Sequence, residues 1–70
     1  MELTVEITSP ALLPALMDAF RRNGCRAERA APTRCRVVHC GDDAAEARVE
    51  IAFFLRAWQL RHPEIDAKLR

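Results

Sequence analysis

The sequence predicts an α+β sandwich of order βαββαβ, a single domain over residues 1–70, with two helices against one face of a four-stranded antiparallel sheet. Three observations predict it. Apolar and polar residues alternate near both ends of the chain, in MELTVEI and in PEIDAKLR, which is the period of a half-buried strand. Between them lie two stretches with apolar residues at helical spacing, each ended by a residue that stops a helix. The segment joining those helices breaks at Ala31-Pro32-Thr33, which makes it a hairpin.

In the first strand Leu3, Val5 and Ile7 alternate with Glu2, Thr4, Glu6 and Thr8. The period then changes within SPALLPALM, where Leu13, Leu16, Met17 and Phe20 fall at i, i+3, i+4 and i+7 on one helical face. Two prolines compete to mark where this helix starts. With Ser9 as cap and Pro10 first in the helix, Pro14 would interrupt a formed hydrogen bond at a cost of about 3 kcal/mol. Starting at Ala11 or Leu12 puts Pro14 in the first turn, where the N–H is unpaired anyway. The first helix is therefore expected over residues 11–22, with Ser9-Pro10 in the corner before it. Arg21 and Arg22 suit the negative end of its dipole, and Asn23-Gly24 supplies the positive φ that ends it.

Within CRAERAAPTRCRVVHC a weak strand precedes the break and a stronger one, carrying Val37 and Val38, follows it. Alanine and proline make the weak strand a poor central one, so it is expected at a sheet edge. Gly41-Asp42-Asp43 offers an aspartate N-cap to the second helix, which runs through AAEARVEIAFFLRAWQLR until Pro63 stops it. Ile65, Ala67 and Leu69 then alternate with Glu64, Asp66, Lys68 and Arg70, so residues 64–70 read as a fourth strand. Two split βαβ units in this order make a ferredoxin-like sandwich. A helical tail would instead leave a βαββα chain that needs a partner to complete its sheet.

The second helix has too many apolar faces for one core. Ala47, Ile51, Phe54, Leu55 and Trp58 gather on one side as the natural core face. Val49, Phe53, Ala57 and Leu60 form a second stripe, turned by well over a right angle and flanked by Glu46, Glu50 and Arg56. Either the small domain wraps this stripe under the sheet rim, or the stripe is an association surface, since large exposed apolar patches are uncommon on monomers. A chain of 70 residues buries only about 60% of its unfolded surface, which favours an interface at Val49, Phe53 and Leu60. A homodimer is its simplest form.

Composition narrows the function classes. With 50% hydrophobic and 30% charged residues the chain is not disordered, and a net charge of +1 gives no general field for nucleic acid or anionic membrane. Only Lys68 among the 11 basic residues is a lysine. The N-terminal stretch lacks the basic and apolar regions of a signal peptide, and no run reaches the ~18 apolar residues of a membrane span. Three cysteines in no scaffold pattern agree with a reducing compartment, so a cytoplasmic location is expected.

The residues that could carry chemistry are sparse. Hairpin pairing brings Cys25 opposite His39 or Cys40, but Cys35 and His39 are roughly 13 Å apart by the strand rise and cannot hold one ion. No CxxC or HxxxH pattern occurs, so no metal and no cofactor are expected, and the thiols are read as small packing groups. A Cys25–Cys40 disulfide would need an oxidising setting. The open sheet face should carry Thr4, Glu6 and Thr8 with Arg34, and Arg36 or Val37, without the aromatics that stack bases. Glu6 beside Arg36 and Lys68 suggests cross-strand charge pairs. Asp42, Asp43 and Glu46 read as a solvated helix start, and no nucleophile stands with a base. The chain is not expected to be an enzyme.

The run ITSPALLPALMDAFRRNGCRAERA resembles the opening of an ACT domain, in which a strand leads through Asp-x-Pro-Gly-Leu-Leu into a helix, a glycine and a second strand. Pro10, Leu12 and Leu13 match, as does Asn23-Gly24 before Cys25; Ala11 stands where the family has glycine, and Thr8 or Ser9 where it has the acid. The resemblance implies a dimerising, non-catalytic regulatory module that binds an amino acid or similar small effector between protomers, with Ser9, Pro10 and Ala11 as the inherited positions. The competing expectation is a structural interaction module that uses Val49, Phe53 and Leu60 and takes no small ligand.

Overall fold

Alternation in the first strand becomes burial. In β1 (Glu2–Ile7) the side chains of Leu3, Val5 and Ile7 are buried, Glu2 is exposed, and Thr4 and Glu6 are half-buried. The structure, a computed structural model, describes residues 2–39 and 43–70. β1 lies inside the sheet, antiparallel to β3 (Arg34–Val38) on one side and to β4 (Ala67–Leu69) on the other. β2 (Arg26–Ala31) pairs antiparallel with β3, giving the order β2-β3-β1-β4. The weak strand is thus at an edge, where its run of alanines does the least harm. Its register with β3 shifts between Arg29 and Ala31.

Because β1 and β2 both oppose β3, they run parallel to each other, and β3 and β4 are likewise parallel across β1. Each helix is therefore the crossover of a split βαβ unit, α1 (Leu13–Arg22) linking β1 to β2 and α2 (Ala44–Arg61) linking β3 to β4. Both cover the same face. Leu13, Leu16, Met17 and Phe20 of α1 and Ile51, Leu55 and Trp58 of α2 share one core with Leu3, Val5, Ile7, Cys35 and Val37. This α+β arrangement is compatible with a ferredoxin-like topology. The buried Phe20 ring meets the half-buried Phe54 ring, 4.7 Å between centroids.

The start of the first helix differs from the expected residue 11. Pro10–Leu12 form a single 3-10 turn and the α-helix begins at Leu13. The cause is Pro14, which has no N–H to give the Pro10 carbonyl an i→i+4 bond; the Leu13 N–H bonds to that carbonyl instead, closing the tighter turn. Pro14 itself sits in the first turn of α1, as the spacing requires. At the other end the Gly24 N–H bonds to the Arg21 carbonyl and the Cys25 N–H to the Phe20 carbonyl, both at 3.1 Å, with Gly24 at φ 84°. That is a Schellman closure, and glycine takes its left-handed position at no steric cost.

Asp43 caps α2, its Oδ1 accepting from the Ala45 N–H at 2.9 Å and the Glu46 N–H at 3.1 Å. Beyond the far end, Gln59 Nε2 donates to the Ile65 carbonyl at 2.9 Å, and His62 stacks on Trp58 while its Nδ1 donates to the Trp58 carbonyl. Buried Ile65 fixes this link against the core. The fourth strand is consequently shorter than the expected residues 64–70, and only Ala67–Leu69 lie against β1, opposite Ile7, Glu6 and Val5. Among the described residues no helix is long and apolar enough to cross a membrane.

Candidate functional site

The core side of α2 is where the spacing put it, with Ala47, Ile51, Leu55 and Trp58 buried and Phe54 half-buried. At about 100° per residue, Val49, Phe53 and Leu60 lie within roughly 40° of one another on the opposite side. They are not wrapped under the rim of the sheet. Val49 is 68% exposed, Phe53 76% and Leu60 76%; Ala57, expected in the same stripe, is half-buried at its flank. Covering one such side chain fully is worth about 1.5–3 kcal/mol, so this face has free energy to gain from a partner. An open recess of about 360 Å³ lined by Arg56, Gln59, Leu60 and Pro63 borders its C-terminal end.

The corner expected to hold a small effector is built differently. Ser9 is half-buried and makes no side-chain cap bond, and Pro10 and Ala11 are exposed. No residue of this corner has a positive φ. A cleft of about 150 Å³ opens at the end of β1 between Glu6, Ile7, Thr8, Asp66 and Lys68, with none of its lining from Ser9, Pro10 or Ala11. Thr8 ties its two sides together, giving its N–H to the Asp66 carbonyl at 3.0 Å while its Oγ1 accepts the Asp66 N–H at 3.1 Å.

A recess of about 140 Å³ gathers Cys25 and His39 with Phe20, Asn23, Glu50, Ile51 and Phe54. The register explains the pair, since Arg26 opposite Val38 carries Cys25 toward His39. His39 Nε2 lies 2.5 Å from Glu50 Oε2, joining the end of β3 to the middle of α2. Local spacing gave no sign of Glu50 here, because the contact depends on how α2 crosses the sheet. Cys40, and with it the Cys25–Cys40 pairing, lies outside the described residues. Among the described residues no three His, Cys, Asp or Glu side chains are grouped to hold a metal ion. Cys35 is fully buried in the core as a free thiol, and burial pushes its pKa up to about 11 against the pull of the Arg21 charge.

The open sheet face carries charge pairs, with a register that corrects the expected partners. Inward-facing Cys35 and Val37 lie opposite Val5 and Leu3, so Arg34 falls opposite Glu6, and Arg36 opposite Thr4 and Glu28. Arg34 Nε donates to Glu6 Oε2 at 2.7 Å, Arg70 Nη1 donates to Glu6 Oε1 at 3.2 Å, and Arg36 Nη2 lies 3.8 Å from Glu28 Oε2. Lys68 is opposite Glu6 as expected. The hydrogen bond from Arg34 holds the Glu6 carboxyl below its usual range, helped by the Arg34, Arg70 and Lys68 charges and opposed by desolvation. Val37 is buried rather than on this face.

The outer face of α2 presents Val49, Phe53 and Leu60 to the surface with Glu46 and Arg56 exposed beside them. No protein-family model matches the chain, and neither does any curated protein or solved structure.

Proposed function

We propose that this chain is a ferredoxin-like, non-catalytic interaction module of the cytoplasm that works by binding a polypeptide through the outer face of α2, with Val49, Phe53 and Leu60 at the centre of contact. The observation that carries this reading is the exposure of all three side chains on one helical face directly opposite the core. Interfaces gain most where large apolar side chains lie together on a rigid element. The ferredoxin-like assignment is supported by the sheet order, which from the other edge runs β4-β1-β3-β2, and by the two interleaved βαβ units. An ACT-like regulatory role, with a small effector at Ser9, Pro10 and Ala11, is supported by the resemblance of the turn sequence alone.

The test is a photo-crosslinking amino acid at position 53, with position 68 on the open sheet face as the control, irradiated in living cells. A polypeptide adduct from position 53 and none from position 68 is the expected result. No adduct, together with a thermal shift on adding an amino acid, would overturn the reading in favour of the effector module; saturation at ~100 Kd should add about 2.7 kcal/mol of stability.

A further inference from the structure

The outer face of α2 has a spacing and a charge order that fit a second copy of this chain. Glu46, Val49, Phe53, Arg56 and Leu60 follow one another at intervals of three, four, three and four, and all five are exposed. That is the a/d spacing of helices that pack side by side. An acid precedes the Val49 and Phe53 positions and a base follows them. Two parallel copies in register would set Glu46 against Glu46 and Arg56 against Arg56. Two antiparallel copies instead set Glu46 opposite the partner's Arg56 and Val49 opposite the partner's Phe53, the same contacts being repeated by the twofold axis, with Leu60 lying beyond these paired layers. The helix dipoles then oppose each other as well.

Among the described residues neither side chain is engaged in an ion pair within the single chain. The ion pairs among the described residues are Arg21–Asp18, Arg34–Glu6, Arg36–Glu28, His39–Glu50 and Arg70–Glu6, and none engages Glu46 or Arg56. We propose that the chain forms a twofold-symmetric homodimer in which α2 packs antiparallel on its copy, two Val49–Phe53 layers being closed at each end by a Glu46–Arg56 pair. This rests on the outer face of α2 being a binding surface and names its occupant. A shift of the helices by one heptad would set Phe53 against the partner's Arg56 and leave Glu46 without a basic partner, so the charges also select the register.

The seam is short. From Glu46 to Arg56 it spans ~16 Å at 1.5 Å per residue, which falls below the ~800 Å² per partner of a standard interface. The dimer is therefore a weak one, at the low end of specific association.

Sedimentation velocity from about 5 to about 500 µM tests this on the wild type, Glu46→Arg, Arg56→Glu and the double reversal, a range that brackets weak association. The wild type should pass from monomer to dimer, each single reversal should weaken pairing about tenfold or more, and the double reversal should restore it. Helical circular dichroism checks that each variant is folded; if a reversal unfolds the chain, Glu46→Gln and Arg56→Gln replace it and should weaken pairing in the same direction. A wild type that stays monomeric throughout overturns the homodimer, as does a double reversal that fails to restore a pairing lost in the single variants. Position 53 crosslinking separates the two levels: an adduct of twice the chain mass supports the homodimer, one with a different polypeptide overturns it while sparing the binding surface, and no adduct removes both.

Discussion

Arg34 and Glu6 face each other across β1 and β3, the guanidinium Nε donating to the carboxylate at 2.7 Å. Arg70 takes the other oxygen at 3.2 Å, so one carboxylate joins the strands on both sides of β1. Because the native pKa of Glu6 is lowered, the stabilisation it gives is present above the unfolded value and is lost as pH falls through the native one. Arg34→Ala should raise the Glu6 midpoint toward the ordinary glutamate value in a carboxyl-carbon NMR titration. An unchanged midpoint would show that the hydrogen bond is not the main cause.

Cys35 gives the opposite dependence at high pH. Its thiol stays neutral in the native state up to about 11, whereas in the unfolded chain it ionises near ~8.5. The unfolded state therefore holds fewer protons in this window. Stability is fully present below the unfolded value and falls as pH rises to the native one, by on the order of 2 kcal/mol. Urea unfolding at pH 8 and 10.5 should show this loss in the wild type and not in Cys35→Ala. The same pH response in both proteins would refute it.

Phe20 is fully buried in the core and packs against half-buried Phe54. Phe20→Ala should cost about 3–5 kcal/mol, a large share of the roughly 4–10 kcal/mol that 70 residues supply at 0.05–0.15 kcal/mol each. Urea unfolding should show a loss of that size for Phe20→Ala and a smaller one for Phe20→Leu. A loss below about 1 kcal/mol for Phe20→Ala would contradict this.

Gly24 separates conformational cost from steric cost. A Cβ at this position meets nothing within 4 Å, yet φ is 84°. Gly24→Ala should therefore destabilise by about 1 kcal/mol from backbone conformation alone. D-alanine at the same position, introduced by chemical synthesis, should leave urea stability unchanged or raise it. Equal losses from both forms would point to crowding.

What could be read from the sequence follows the range of the forces involved. The alternation of Leu3, Val5 and Ile7, the cap at Asp43 and the helix end at Gly24 are local, and each is found where its residues put it. The 3-10 turn at Pro10–Leu12 was within reach as well, since Pro14 could not bond to the Pro10 carbonyl, but two prolines left the starting residue open. The fourth strand shortened because Ile65 and Gln59 engage each other before the chain reaches β1. Register decides the rest: it hands Glu6 to Arg34 rather than Arg36 and draws in Arg70 from 64 residues away. The second stripe on α2 was visible as a pattern. Its exposure depended on how the helix lies on the sheet, which spacing alone does not encode.

The register shift in β2 acts outside the molecule. An edge strand with regular, free backbone groups is a template on which further chains can add without limit. Slipping the register between Arg29 and Ala31 twists that template away from a flat approach, and three-residue β4 gives the other edge little length to copy. Both edges of the sheet are thus poor templates for adding a further strand.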